Sequence, residues 1–337
     1  MSSGVLALLG SGETGPGMTK VHRALFARLD EVRAVNLNTP YGFQENVPQM
    51  TEKLLAYFST SLHVDVTPLD LRSYDDASEE QRQYFKDAVR RSNYVFAGPG
   101  SPSYALRQWM PLGLTEDLMS VLAQDGIVCF SSAAGLTLGH YTPPVYEIYK
   151  AGTGLEWLEG LNVMSAIGLD CVVLPHYNNA EGRDYDTSRC YIGERRLRIL
   201  EEELPDGVGV LGIDEHTAAI IDLATRTLTV RGKGEVHWRR DGRVSDFPSD
   251  GVVALSDLGA SAQDLDALAE LAPPSSAVVD ESEVLKLRDA QDRLASALNE
   301  IRSAARAAGQ YAIADEIRDA LSAAGVVVRD GAVGAPQ

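Results

Sequence analysis

The feature that most constrains this chain is the regular alternation of short apolar runs with amphipathic segments through about its first 240 residues. Val5–Leu9, Val32–Leu37, Leu62–Val66, Tyr94–Ala97 and Ile127–Phe130 read as strands. Met18–Leu29, Val47–Phe58, Glu79–Arg91 and Thr115–Gln124 carry helical spacing between them. Strands that alternate with helices are joined by crossovers, and crossovers place neighbouring strands parallel with helices on both faces. A further strand, Cys171–Leu174, precedes a helix over Ser188–Glu203. Val208–Gly212, Ala218–Asp222, Thr227–Val230 and Val236–Arg239 then close the domain, with Asp241-Gly242 as a hairpin turn. The predicted class is α/β, a three-layer sandwich around a mostly parallel sheet, with a small C-terminal helical unit.

Charge divides the chain into three. Residues 1–249 hold 33 acids and 23 bases, residues 250–283 hold 8 acids and no base, and residues 284–337 hold 7 of each. The middle piece, with Pro273-Pro274-Ser275-Ser276, reads as an acidic linker in which Asp264–Leu271 has enough helical pattern for a short helix. The last piece predicts two helices, Val284–Ala308 and Ala312–Ala323, the second stopped by Gly325. Val326-Val327-Val328 would form a short extended tail.

The net charge of −18 opposes broad binding to nucleic acid or anionic membranes. Cys129, Cys171 and Cys190 lack the spacing of a disulfide framework or a structural zinc site, so neither a metal nor another cofactor is expected. No apolar run approaches the roughly 18 residues that span a bilayer, and the start of the chain lacks the pattern of a signal peptide. A cytoplasmic location is the expectation.

The chemistry centres on Ile127-Val128-Cys129-Phe130-Ser131-Ser132-Ala133-Ala134-Gly135-Leu136, a buried strand running through small residues into a helix. That is the setting of a nucleophile elbow. Aligned on Gly135, the pattern G-x-S-x-G puts Ala133 at the nucleophile and Ser131 at the first glycine. Tight strand-to-helix packing asks for small residues too, so the segment alone leaves both readings open. Gly10-Ser11-Gly12-Glu13 lacks the lysine of a P-loop and reads as a turn. Asn38-Thr39-Pro40-Tyr41-Gly42-Phe43 follows a strand and would line the crevice at the carboxyl end of the sheet.

At these segments the chain resembles the serine peptidases that include dipeptidase E and cyanophycinase, whose fold is like that of class I glutamine amidotransferases. The resemblance covers about residues 4–240. It rests on Phe96-Ala97-Gly98-Pro99-Gly100-Ser101-Pro102-Ser103, on Ser132-Ala133-Ala134-Gly135, on Leu174-Pro175-His176-Tyr177-Asn178-Asn179 and on Gly212-Ile213-Asp214-Glu215-His216-Thr217-Ala218, in that order. It implies that His176 is the base and that Gly98, Gly100 and Ser101, with Ala133 and Ala134, surround an oxyanion. Asn38 is assigned to the rim of the substrate crevice. Glu147 falls near the family's acidic partner, with Asp214 and Glu215 as alternatives. The nucleophile does not carry over: alanine cannot attack a carbonyl, which leaves Ser132 or Ser131 as a displaced nucleophile, or none. Ser132, one residue before the expected turn, should point away from His176.

Ala314-Asp315-Glu316-Ile317-Arg318-Asp319-Ala320-Leu321, followed by Gly325-Val326 and Asp330-Gly331, resembles the C-terminal end of cysteinyl-tRNA synthetases over about residues 284–335. The HIGH and KMSKS signatures of those enzymes are absent. Three readings follow. The chain is a serine hydrolase acting on a small peptide or amide, a pseudoenzyme that binds such a ligand, or a tRNA-associated module. Because the last piece is charge-neutral, packing or homo-oligomerisation through it is favoured over tRNA binding.

Overall fold

A computed structural model describes residues 4–261 and 297–323. The first segment is built on an eight-stranded sheet. In chain order its strands are β1 (Val5–Leu9), β2 (Ala34–Leu37), β3 (Val66–Leu69), β4 (Tyr94–Ala97), β5 (Ile127–Ser131) and, after the strands of two smaller sheets, three antiparallel additions. The smaller sheets use β6 (Tyr141–Thr142), β7 (Leu158–Glu159), β8 (Cys171–Leu174) and β9 (Gly209–Ile213). The additions to the main sheet are β10 (Thr217–Asp222), β11 (Thr227–Gly232) and, after β12 (Val236–Arg240) and β13 (Arg243–Phe247), β14 (Val252–Ala254). The main order is β14-β11-β10-β1-β5-β4-β2-β3, parallel from β1 to β3. A second sheet, β13-β12-β9-β8, stands beside it, and β6 pairs with β7.

The alternation in the sequence becomes two apolar layers. Leu6, Leu8, Val35, Leu37, Val95, Val128 and Phe130 face α3 (Glu79–Arg91), α4 (Pro102–Leu112) and α5 (Leu114–Ala123), reached after α1 (Pro16–Phe26) and α2 (Val47–Tyr57) in the chain. The intervening residues Val5, Ala7, Leu9, Tyr94, Phe96, Ile127 and Cys129 face α1 and Phe58. Period-two side chains on a two-faced sheet produce this three-layer sandwich. Each fully buried Leu or Phe contributes about 1.5–3 kcal/mol. Ser78 opens α3 with a capping box closed by Gln81, and the three cysteines are free and buried.

Several expectations shift. The strand expected at Leu62–Val66 forms at Val66–Leu69, because α2 runs on through one wide helical turn, Phe58–Leu62. β14 pairs with β11, so residues 252–254 belong to the sheet and not to a linker beginning at 250. The helix expected from Ser188 starts only at Glu194, as α8 (Glu194–Glu201), after the short helices α6 (Ala133–Leu136) and α7 (Val163–Ala166). The second described segment holds a helix over 297–307 and a helix α9 at Tyr311–Ala323, where Arg318 pairs with Asp315 one turn earlier. Asp264–Leu271, Pro273-Pro274, the start of the first C-terminal helix and the tail after 323 lie outside the described residues.

Candidate active site

Three strand ends meet at the carboxyl edge of β1. β5 ends in Ser131, β8 leads through Pro175 into His176, and the β9–β10 turn carries Asp214-Glu215-His216. Backbone bonds join them: Ser132 N–H donates to the Leu9 carbonyl at 3.1 Å, His176 N–H to the Gly10 carbonyl at 3.2 Å, and Tyr177 N–H to the Ile213 carbonyl at 3.0 Å.

Ser132 occupies the sharp turn, with φ 53° and ψ −124°. A non-glycine residue there stores about 1–3 kcal/mol, a strain that persists only where the surroundings impose it. The Ser132 Oγ lies 2.8 Å from His176 Nε2. His176 Nδ1 lies 2.8 Å from Glu215 Oε1. A carboxylate only accepts, so Glu215 holds the proton on Nδ1 and leaves Nε2 to accept from Ser132. Burial works to raise the Glu215 carboxyl, but hydrogen bonds from His176 and Asn179 outweigh it and hold the group below its ordinary value. Glu215 N–H is in turn fixed by Asn178 Oδ1 at 2.8 Å.

These positions correct the sequence reading at the elbow. Ala133 does not hold the turn; it is the first residue of α6, and Ser132 does not point away from His176. The physical reason is spacing: this turn enters its helix one residue earlier than an alignment on Gly135 assumes. Ser131 is buried and donates to Glu13 Oε2 at 3.0 Å. Glu147 does not reach His176: its Oε1 accepts from Ser103 Oγ on α4, and its buried Oε2 has no hydrogen-bond partner among the described residues. Asp214 faces away, with Oδ1 3.1 Å from His237 Nε2.

The surrounding loop carries backbone donors. The Ala133 N–H heads α6 and has no intrahelical acceptor. Ala134 N–H is committed to the Gly98 carbonyl at 3.4 Å, which ties the loop after β4 to the elbow. Gly100 has φ 152°, and a Cβ there would come within 2.0 Å of the Pro40 carbonyl oxygen. That close approach seats the loop on the Asn38–Tyr41 segment, where Ser101 N–H donates to Pro40 O at 2.8 Å. The Ser101 hydroxyl caps α4 by accepting from Tyr104 N–H at 3.1 Å. Asn38 is buried and donates to Asp70 at 2.9 Å. It lines a cavity of about 580 Å³ between α2 and β3 that includes none of Ser132, His176 and Glu215.

One supporting element was invisible in the pattern of residues. Arg189, Cys190 and Tyr191 take successive φ values of 58°, 58° and 65°, a left-handed turn in place of the first helical turn expected there. Arg189 N–H donates to Tyr177 O at 2.8 Å and Cys190 N–H to His176 O at 3.2 Å, so the turn clamps the histidine's backbone. The Tyr191 ring lies 5.8 Å from that of His176. Left-handed residues each cost about 1–2 kcal/mol, and none of these three is a glycine that would have signalled the turn.

Comparison with known proteins places the fold. A peptidase from an acI-B1 Actinobacterium aligns with a TM-score of 0.61 at 19% identity, covering 75% of this chain and 97% of that one. A putative peptidase E protein from Listeria monocytogenes EGD-e aligns with a TM-score of 0.44 at 16% identity, covering 72% and 98%. No curated protein matches by sequence. Residues 289–335 match the cysteinyl-tRNA ligase anticodon binding domain. The large segment thus has the fold of a peptidase structure, and the C-terminal segment is similar to the anticodon binding domain of a tRNA ligase.

Proposed function

We propose that this chain is a serine hydrolase that cleaves a small peptide or amide through Ser132, His176 and Glu215. The observation that carries the reading is the continuous relay from Ser132 Oγ to His176 Nε2 and from His176 Nδ1 to Glu215, at 2.8 Å for each link. His176 takes the Ser132 proton as Oγ attacks the carbonyl carbon. In this reading the Ala133 N–H and the Gly98–Gly100 loop stabilise the oxyanion, with Pro99 lacking a donor of its own. His176 then delivers the proton to the leaving amine, and water, activated by the same base, releases the acyl group. Strain at Ser132, with φ 53° and ψ −124°, supports this reading over that of a ligand-binding pseudoenzyme, because backbone held in so sparsely populated a region clusters at active sites.

The test is labelling of the full-length protein with a fluorophosphonate probe. Covalent modification of Ser132 supports a hydrolase, and an unlabelled protein sinks the reading. The match at residues 289–335 raises a second reading, in which the C-terminal segment contacts RNA, and the even charge balance of residues 284–337 weighs against it.

A further inference from the structure

β12 and β13 form a ribbon in which His237 stands directly opposite Asp246. Glu235 precedes His237 by two residues, the spacing that puts extended side chains on one face. One ligand atom from each of Glu235, His237 and Asp246 lies within 4.8 Å of the others. His237 Nδ1 is 2.7 Å from Asp246 Oδ1, while its Nε2 is 3.1 Å from Asp214 Oδ1.

We propose that Glu235, His237 and Asp246 bind a borderline divalent cation such as zinc. The argument rests on how the imidazole is held. Asp214 is 6% exposed and is fixed by the Glu235 N–H, which donates to its Oδ2 at 3.0 Å. A buried carboxylate that accepts from Nε2–H aims Nδ1 outward as the ligating nitrogen, the second-sphere arrangement of metal-bound histidines. Tyr177 stacks on the ring at 4.6 Å and fixes its plane. Charge favours a dication too. Three carboxylates surround one imidazole, and Arg239 on the same strand directs its guanidinium to Glu194 and Glu201. The cation takes the place of a proton on Nδ1, releasing it to solvent, and is neutralised by the carboxylates of Glu235 and Asp246, with water completing the shell. A ligand set containing imidazole suits zinc better than magnesium or calcium, which prefer oxygen alone.

The experiment is calorimetric titration of zinc chloride into the chelator-stripped full chain, repeated with magnesium chloride. The expected result is one saturable equivalent of zinc at this site. It is lost in His237→Gln, weakened at least tenfold in Glu235→Gln and Asp246→Asn, and weakened about 10–100-fold in Asp214→Asn. Magnesium at the same concentration should neither bind nor compete. Asp246 is half exposed, so Asp246→Asn should leave the melting temperature of the metal-free protein unchanged. Absence of saturable zinc uptake by the unmodified protein overturns the site. So does zinc affinity that is unaltered in both Asp246→Asn and His237→Gln.

Discussion

Ser132→Ala is expected to abolish fluorophosphonate labelling and to lower any hydrolysis by about 10⁶-fold, as loss of a serine nucleophile does elsewhere. Ala133→Ser should add no labelled site, because position 133 begins α6 and its side chain does not hold the elbow. Glu215→Gln should cost about 10⁴-fold by removing the acceptor that fixes the His176 tautomer. Glu147→Gln should leave turnover within a few-fold, since Glu147 is bonded to Ser103 and not to the histidine. Mass spectrometry of the labelled peptide and turnover of a dipeptide panel would check this set; labelling retained in Ser132→Ala would refute the assignment. The sequence made His176 legible through the segment after β8, and it kept Ser132 and Glu215 among the candidates. It could not choose Ser132 over Ser131, or Glu215 over Glu147 and Asp214. Register at the elbow depends on a backbone dihedral, and the identity of the histidine's partner depends on which of three acids, Glu147, Asp214 or Glu215, turns toward it.

Elements, as distinct from residues, are legible in the sequence wherever periodicity is strong. β1, β4 and β8 fall on the runs that predicted them, and α3 falls on Glu79–Arg91. The misses share a cause: backbone conformations that leave no mark on hydrophobic pattern. The wide turn at Phe58–Leu62 delays β3, and the left-handed turn at Arg189–Tyr191 delays α8. The support behind the histidine is equally local. Tyr177 lies flat over Gly212 of β9, where a Cβ would come within 2.4 Å of the ring. Gly212→Ala should therefore displace Tyr177 and, through the adjoining residue, His176. Overpacking of this kind costs about 1–3 kcal/mol. The expected outcome is a lower melting temperature and slower Ser132 labelling at temperatures where the variant is folded. Unchanged labelling with an unchanged melting temperature would show that the ring has room to move.

At the scale of the whole molecule, two tests address stability and assembly. His22 is buried in an aromatic cage, with its ring bonded to Tyr94 OH at 2.7 Å and the Glu13 carbonyl at 2.9 Å. Burial pushes its pKa down to about 4, against a smaller opposing effect of the bond to Glu13. The unfolded chain binds this proton near pH 6.5 and the folded chain only near pH 4, so stability is full above pH 6.5 and falls as pH drops through that window. The loss is about 3 kcal/mol, and denaturant titrations between pH 7 and 4 should show it reduced in His22→Gln. The second test concerns the C-terminal segment. No helix among the described residues is long and apolar enough to cross a membrane. The matched family points to RNA, yet residues 284–337 carry 7 acids against 7 bases on a chain of net charge −18. A phosphate backbone gains affinity mainly from released counterions, roughly 0.9 per neutralised phosphate on a duplex. A neutral segment neutralises few phosphates, and the excess of acids over residues 1–283 adds repulsion. Filter binding of the full chain to bulk tRNA should therefore be weak at 50 mM salt and undetectable at 200 mM, with no preference for a tRNA species. Tight, salt-insensitive binding to one tRNA would show recognition through base edges and shape, and would make RNA the partner of the C-terminal segment.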